Sequence, residues 1–444
     1  MNLLRSKNKI IIFALVLLIS LVSVFFFGGK DGEDIATWAA TLLDSISELR
    51  LREFALMCND MGLPTNYSAF SNIICAIWLL PVYLIGIIFH VNVSLFVYCT
   101  YLKIGIVIVN FIAVHFLYKS ISRYNKDIRE ETVYLLWFSF NLVQQYSIGN
   151  GQIDIIGICL MLIALNCYFE GRYRAFSLIA GACLCFKVFP IILIAMVIAM
   201  FVADKGIKAV RYLIYILILP ILQLVIEKVV FIDYDIAQYV GFEYSNSNFI
   251  DRLFEHDINI SVSPIILVSV ILFVLVYLLY KYSLINELDV LAVSALTYCL
   301  FFIMVRSHCQ WYMYLLPLIL IIGLYKGVTV EYMLLCLGFN VTEIVYNSVS
   351  TDSVDKSLYG YFVDNTGYFD YNVPLSKVAH APEYVASIFF AFMFLFVIYY
   401  FVVRMRTAKN IVAKRVVPAN ASQVLLYVVY ATTLLSEIII VLIY

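Results

Sequence analysis

Apolar runs follow one another along this chain at a density that no soluble core can bury. Thirteen of them, 10–27, 95–118, 132–148, 153–169, 175–187, 189–203, 210–231, 264–280, 290–305, 312–325, 331–347, 383–403 and 423–443, are candidates to cross a bilayer. A crossing takes about 20 apolar residues, somewhat fewer where the helix borders a cavity. Inside hydrocarbon every backbone N–H and C=O must be paired, and continuous apolar runs of this length read as helices that pair them internally. Composition excludes the alternative of a large soluble core, because 64% of the residues are hydrophobic and only 13% are charged, whereas a globular domain is roughly half apolar. The expected fold is all-α, a polytopic membrane protein with about 13 transmembrane helices.

One further apolar run, 73–89, is ambiguous, and the placement of positive charge decides it. If 73–89 does not cross, the cytoplasmic segments collect 19 of the 29 Lys and Arg residues. If it does cross, the 16 of these that follow it face outward. The expectation is therefore a first outer loop, 28–94, in which 73–89 lies at or dips into the membrane. Arg5, Lys7 and Lys9 ahead of the run 10–27 read as a retained signal anchor with a cytoplasmic N-terminus. Within the same loop, Ile35, Trp38, Ala39, Leu42, Ile46 and Leu49 recur at helical spacing opposite Asp44, Glu48 and Arg52. That pattern predicts an amphipathic helix over 35–58, lying in the interface plane. No repeat, low-complexity tract or soluble domain interrupts the chain, so 1–444 reads as a single membrane unit.

The net charge of −1 and the lack of a basic block outside the cytoplasmic loops exclude a nucleic-acid partner. Eight of the ten cysteines fall in apolar stretches, where a thiol acts as a small hydrophobe, and only Cys58 and Cys309 fall at outer positions. No Cys-x-x-Cys or His-x-x-x-His spacing occurs, and nothing in the sequence calls for a metal or another cofactor.

Polar residues gather at the outer ends of the predicted helices. Asp31, Glu33 and Asp34 follow the first crossing. Acids there cap a helix and suit its dipole; placed at headgroup depth, one of them is also a candidate general base. The stretch GNGQIDIIG, 149–157, opens the fourth crossing with Asn150, Gln152 and Asp154, and Gln144 and Gln145 lie close by on the third. Such amides either satisfy one another between helices or bind sugar hydroxyls. In FKVFP, 186–190, Lys187 sits where two short crossings meet. It either snorkels or faces a phosphate. Arg306 and His308 form part of RSHCQWYMYLLP, 306–317, a fixed and a titratable cation at an outer turn. Lys103, about a third of the way into the second crossing, is a lower-ranked phosphate candidate.

In order and spacing these segments resemble the GT-C superfamily of integral membrane glycosyltransferases, over roughly residues 1–325. The likeness is to the branches that use polyprenyl-phosphate mannose, the bacterial α-mannosyltransferases and the first GPI mannosyltransferase. It is carried by Gly-Glu-Asp-Ile at 32–35 after the first crossing, Gly-Gln at 151–152 opening the fourth, Phe-Lys-Val-Phe-Pro at 186–190, and a His-x-x-x-Tyr turn before Leu-Leu-Pro at 315–317. The resemblance implies a GT-C-like core in 1–325, with juxtamembrane helices and the catalytic carboxylate in the first outer loop, and variable C-terminal helices in 326–444 around an outer loop 348–382. It makes Asp34 the base, with Asp31 and Glu33 as alternatives, where the GPI-type enzymes carry Asp-x-Asp. It implies a hexose moved from a polyprenyl-phosphate donor to a lipid-linked or surface glycan acceptor by inverting displacement, with Lys187, Arg306 and His308 on the leaving phosphate.

A lipid-phosphate donor also accounts for the lack of a Gly-rich nucleotide fingerprint. The setting is a plasma membrane in a bacterium or an ER membrane in a eukaryote, with membrane lipid as the surrounding partner. Two rivals are weighed. A polysaccharide polymerase is expected to carry several arginines in large outer loops, yet 232–263 has only Arg252 and 348–382 has none. A lipid or sugar transporter or flippase is expected to have paired broken crossings or polar groups at mid-bilayer.

Overall fold

The computed structural model describes residues 2–26, 30–65, 67–187, 189–232, 234, 264–304, 309–349 and 381–408. The predicted crossing 423–443, most of the outer loops 232–263 and 348–382, and the residues Arg306 and His308 lie outside the described residues. Every described element is helical. In chain order they include α1 (Asn2–Phe26), α2 (Lys30–Ser47), α3 (Phe54–Asp60), α4 (Ala69–Phe89), α5 (Leu95–Ser122), α6 (Glu130–Phe138), a π-helix (Leu142–Gly149), α7 (Asp154–Phe169), α8 (Tyr173–Phe186) and α9 (Ile191–Lys205). There follow α10 (Val210–Leu213), α11 (Ile218–Val225), a π turn (Ile226–Val230), α12 (Pro264–Lys281), α13 (Glu287–Met304), a 3₁₀ stretch (Cys309–Tyr314), α14 (Leu316–Leu324), α15 (Val330–Val349) and α16 (Ala381–Ala408).

By length and composition, four helical runs among the described residues are fit to cross a membrane: Ala69–Phe89, Leu95–Ser122, Ile191–Val230 and Ser387–Met405. A fifth is added if the π-helix and α7, bent by 115° to each other, count as one broken span. The count falls short of thirteen because many apolar helices are short. The 14 residues of α8 extend about 21 Å at 1.5 Å per residue, against a hydrocarbon core of about 30 Å. Ala69–Phe89 stands among the four, so its expected place in an outer loop rests on charge alone and not on length. Within Ile191–Val230 the backbone turns at Gly206, whose φ of +56° lies outside the helical region. The turn falls in the expected connection between the crossings 189–203 and 210–231.

The predicted helix over 35–58 is two helices. Ile35, Trp38, Ala39 and Leu42 are buried, as their spacing implied, but α2 ends at Ser47. Leu49 then adopts φ +59°, and Ile46 and Leu49 are exposed. A left-handed leucine cannot continue a helix, so the chain reverses before α3. α2 packs against both α4 and α5, while α7 packs against α5 and α8. The start of α2 is thereby brought to the turn between the π-helix and α7.

Candidate functional site

The seat for that meeting is made by two glycines. A Cβ on Gly32 would stand 2.7 Å from the Asn150 carbonyl oxygen, and one on Gly151 would stand 3.0 Å from the Gly32 Cα. Gly151 also has φ +74°, a conformation that glycine adopts without steric cost. The two backbones therefore touch, and the side chains beside them are forced into reach of one another.

Asp31 is the acid that benefits. Its Oδ2 accepts from Asn150 Nδ2 at 3.3 Å and from Gln152 Nε2. The other end of the Gln152 amide accepts from the Tyr67 hydroxyl at 3.0 Å. Lys187 places its ammonium 4.2 Å from the centroid of the Tyr67 ring, a cation–π contact, and it acts electrostatically on Asp154. Asp154 in turn accepts from the Tyr314 hydroxyl at 3.1 Å. Asp31 and Lys187 are partly exposed, while Asn150, Gln152 and Asp154 are buried. The Asn150 Oδ1 and Asp154 Oδ2 atoms have no hydrogen-bond partner among the described residues. Burial first, and then the charges of Asp154 and Asp31, push the Tyr67 phenol well above the usual tyrosine range. Tyr67 is therefore a proton donor to Gln152 at any ordinary pH. Its ring also lies 5.8 Å from that of Trp38, whose indole N–H binds the Leu63 carbonyl at 2.9 Å.

The three acids after the first crossing face different neighbours. Asp31 faces the amides. Glu33 acts electrostatically on Lys103 and Cys99. The stem of Lys103 packs beside Gly151, with Cε 3.6 Å from where a Cβ there would stand. Lys103 is buried, and Cys99 and then Glu33 act on its charge. Asp34 acts electrostatically on Tyr67 and Cys99.

Gln144 and Gln145 are not brought to this centre. Gln144 accepts from Ser23 Oγ at 3.0 Å and donates to the Phe138 carbonyl at 3.1 Å. Gln145 accepts from Asn141 Nδ2 at 3.1 Å, and the same nitrogen donates to Glu343 at 2.6 Å. These are the fastenings between helices that their sequence position left open as one alternative.

Tyr67, Tyr314 and Glu343 were not singled out in the sequence. The Pro64-Thr65-Asn66-Tyr67 stretch ahead of the α4 N-cap at Ser68 was the available signal for Tyr67. Tyr314 is one tyrosine among 34, and its spacing gives no sign of a role. Phe189, in the Phe-Lys-Val-Phe-Pro stretch, contacts the rings of Trp311 and Tyr314 at 4.4 and 5.6 Å. Three of the sequence stretches therefore meet physically around Asp154 and Lys187. Compared with family models and with curated proteins, the chain matches none.

Proposed function

We propose that this chain is a membrane glycosyltransferase of GT-C type that moves a hexose from a polyprenyl-phosphate donor to a hydroxyl acceptor, with Asp31 as general base. The observation that carries the reading is the convergence of a partly exposed carboxylate, two amides and an ammonium, drawn from residues 31, 150–152 and 187. An acid, neutral hydrogen-bonding groups and a cation in one place are the inventory of an inverting displacement on a phosphate leaving group. The acceptor oxygen attacks the anomeric carbon while its proton passes to the Asp31 carboxylate. The bond from that carbon to the phosphate oxygen breaks, and its electron pair leaves with the polyprenyl phosphate.

In this reading Lys187 meets the charge growing on that phosphate, the kind of fixed electrostatic contribution that outweighs others in group transfer. Arg306 and His308 belong to the same proposal on sequence grounds. Asp31 replaces Asp34 as the base because Asn150 and Gln152 orient it. Lys103, beside Gly151, stays a lower-ranked member of the phosphate set on sequence grounds. The reading keeps thirteen crossings, a cytoplasmic N-terminus and an outward-facing centre.

The test is transfer from a synthetic polyprenyl-phospho-mannose by the purified full-length protein in lipid nanodiscs, comparing wild type with Asp31→Asn and Asp34→Asn. A general base contributes on the order of 10²–10⁴ in rate, so Asp31→Asn should lose activity on that scale and Asp34→Asn should not. Equal rates for wild type and Asp31→Asn would remove the base. A second reading, a lipid or sugar transporter, is favoured by one observation: the broken pair of the π-helix and α7 with the buried Glu343 against it. Movement of a labelled lipid-linked sugar across the membrane without any transfer would select it.

A further inference from the structure

Tyr67 reaches Gln152 and Lys187 because its backbone is held from outside the site. The stretch between α3 and α4 carries it, and such a stretch has no helical ladder to fix it. Its Tyr67 carbonyl accepts from the Tyr234 hydroxyl at 2.6 Å, and that hydroxyl accepts from Asn72 Nδ2 at 3.0 Å. Two residues on, the Ala69 N–H donates to Glu227 Oε1 at 2.9 Å. This N–H is one of the donors left over at the start of α4, and a carboxylate is the group that a helix N-terminus favours. Ser68 meets another of them, its side chain accepting from Ser71 N. Glu227 is fully buried, and Gln223, one turn earlier, hydrogen-bonds the same carboxylate.

Glu227 and Tyr234 come from a different part of the molecule, the π turn that ends the run from Ile191 and the residues just after it. A π turn inserts a residue and re-aims the side chains that follow, which is why such turns recur at functional places. The segment is seated on the first outer loop at two further points. Phe54 packs against Phe231 and Tyr234 at 5.4 and 6.4 Å, and the Ile232 N–H donates to the Arg52 carbonyl at 2.7 Å. The Tyr67 stretch is thus clasped by Trp38 on one flank and by Glu227 and Tyr234 on the other.

We infer that Glu227 and Tyr234 are positioning residues for the Asp31 centre. They set the Tyr67 backbone, and through the Tyr67 hydroxyl and ring they set Gln152 and Lys187 without touching substrate. The inference rests on the transferase reading for its catalytic consequence, though not for the placement of Tyr67 itself.

Two readouts on the full-length protein in nanodiscs separate these parts. Tyr234→Phe removes one hydroxyl, and Glu227→Gln keeps the side-chain shape and an acceptor oxygen while removing the charge. The first readout is amide hydrogen exchange over residues 63–72. It should be faster in Tyr234→Phe and in Glu227→Ala, with protection elsewhere unchanged and with Glu227→Gln largely rescued. The second is kcat for transfer from polyprenyl-phospho-mannose. It should fall about tenfold in Tyr234→Phe at unchanged melting temperature, as expected for a small misplacement of reacting groups. The effect should be lost in a Tyr67→Ala background, because residues acting in series are not additive. Unchanged exchange over 63–72 in both Tyr234→Phe and Glu227→Ala overturns the inference, as does a kcat loss of the same size with or without Tyr67. Should wild type transfer no sugar at all, the transferase reading fails, and the exchange data alone then support or overturn the clasp.

Discussion

Asn150 and Gln152 turn their amide nitrogens toward Asp31, a carboxylate that remains partly exposed. Gln144 and Gln145, a few residues earlier on the π-helix, instead hydrogen-bond Ser23, the Phe138 carbonyl and Asn141. Around that second pair everything is closed: Asn141, Asn340 and Glu343 are buried, and Asn340 donates to the Ser139 carbonyl at 2.9 Å. The first cluster mixes a cation with acids and an exposed edge, whereas the second, among the described residues, is amides around the buried Glu343. Residues of the same type and almost the same sequence position thus divide into a group able to act on a ligand and a group that holds helices together. All four amides are buried; what separates them is their neighbours, a partly exposed carboxylate and cation for one pair and buried polar groups for the other.

The comparison breaks first at the two carboxylates. Asp31→Asn should cost transfer on the order of 10²–10⁴ in rate and leave thermal stability near wild type. Glu343→Leu should do the reverse, keeping activity per folded molecule. Asn141→Leu goes further into the second cluster, since it leaves Glu343 and Gln145 without the nitrogen that both accept from. An unmet buried polar group costs about 1–3 kcal/mol, and this should appear as a lowered melting temperature in detergent with no change in donor KM.

Gly32→Ala tests the seat between the clusters. The added Cβ meets backbone, the Asn150 carbonyl oxygen at 2.7 Å, which cannot swing aside as a side chain would. An overpacked contact costs about 1–3 kcal/mol, and the Asp31 amide bonds should be lost with it, so both stability and transfer should fall. If Gly32→Ala kept wild-type activity, the close approach would not be what places Asp31. The smallest effect belongs to Tyr67→Phe, which deletes the 3.0 Å bond to Gln152 and keeps the ring under Lys187. A single such bond is worth about 0.5–1.5 kcal/mol. The variant should raise the donor KM little and lower kcat modestly, and an activity equal to wild type would place Tyr67 outside the chemistry.

Much of the site was visible in the sequence as a list of places, though not as a set of partners. The stretches at 31–34, 149–157 and 186–190 stood out because polar residues at helix ends are conspicuous against a background of 64% hydrophobic residues. Which acid faced the amides was not legible. Asp31 and Asp34 lie three residues apart, close to one helical turn, and the close approach of Gly32 to Asn150 and Gly151 brings Asp31 to the amides. The division of the four amides was equally hidden, because a π-helix shifts the register that an α-helical reading of 132–148 assumes. Glu227 and Tyr234 carried no signal, since each acts on backbone more than 150 residues away.

By itself the sequence established the long apolar segments that fit a membrane protein, and every described element is a helix. Tertiary structure decided which helix ends meet, where α2 stops, and that Asp31 faces the amides of Asn150 and Gln152. Those outcomes depend on contacts between distant segments, at distances set by the absence of a Cβ or by one extra residue in a turn, and no local pattern of hydrophobicity or charge encodes them.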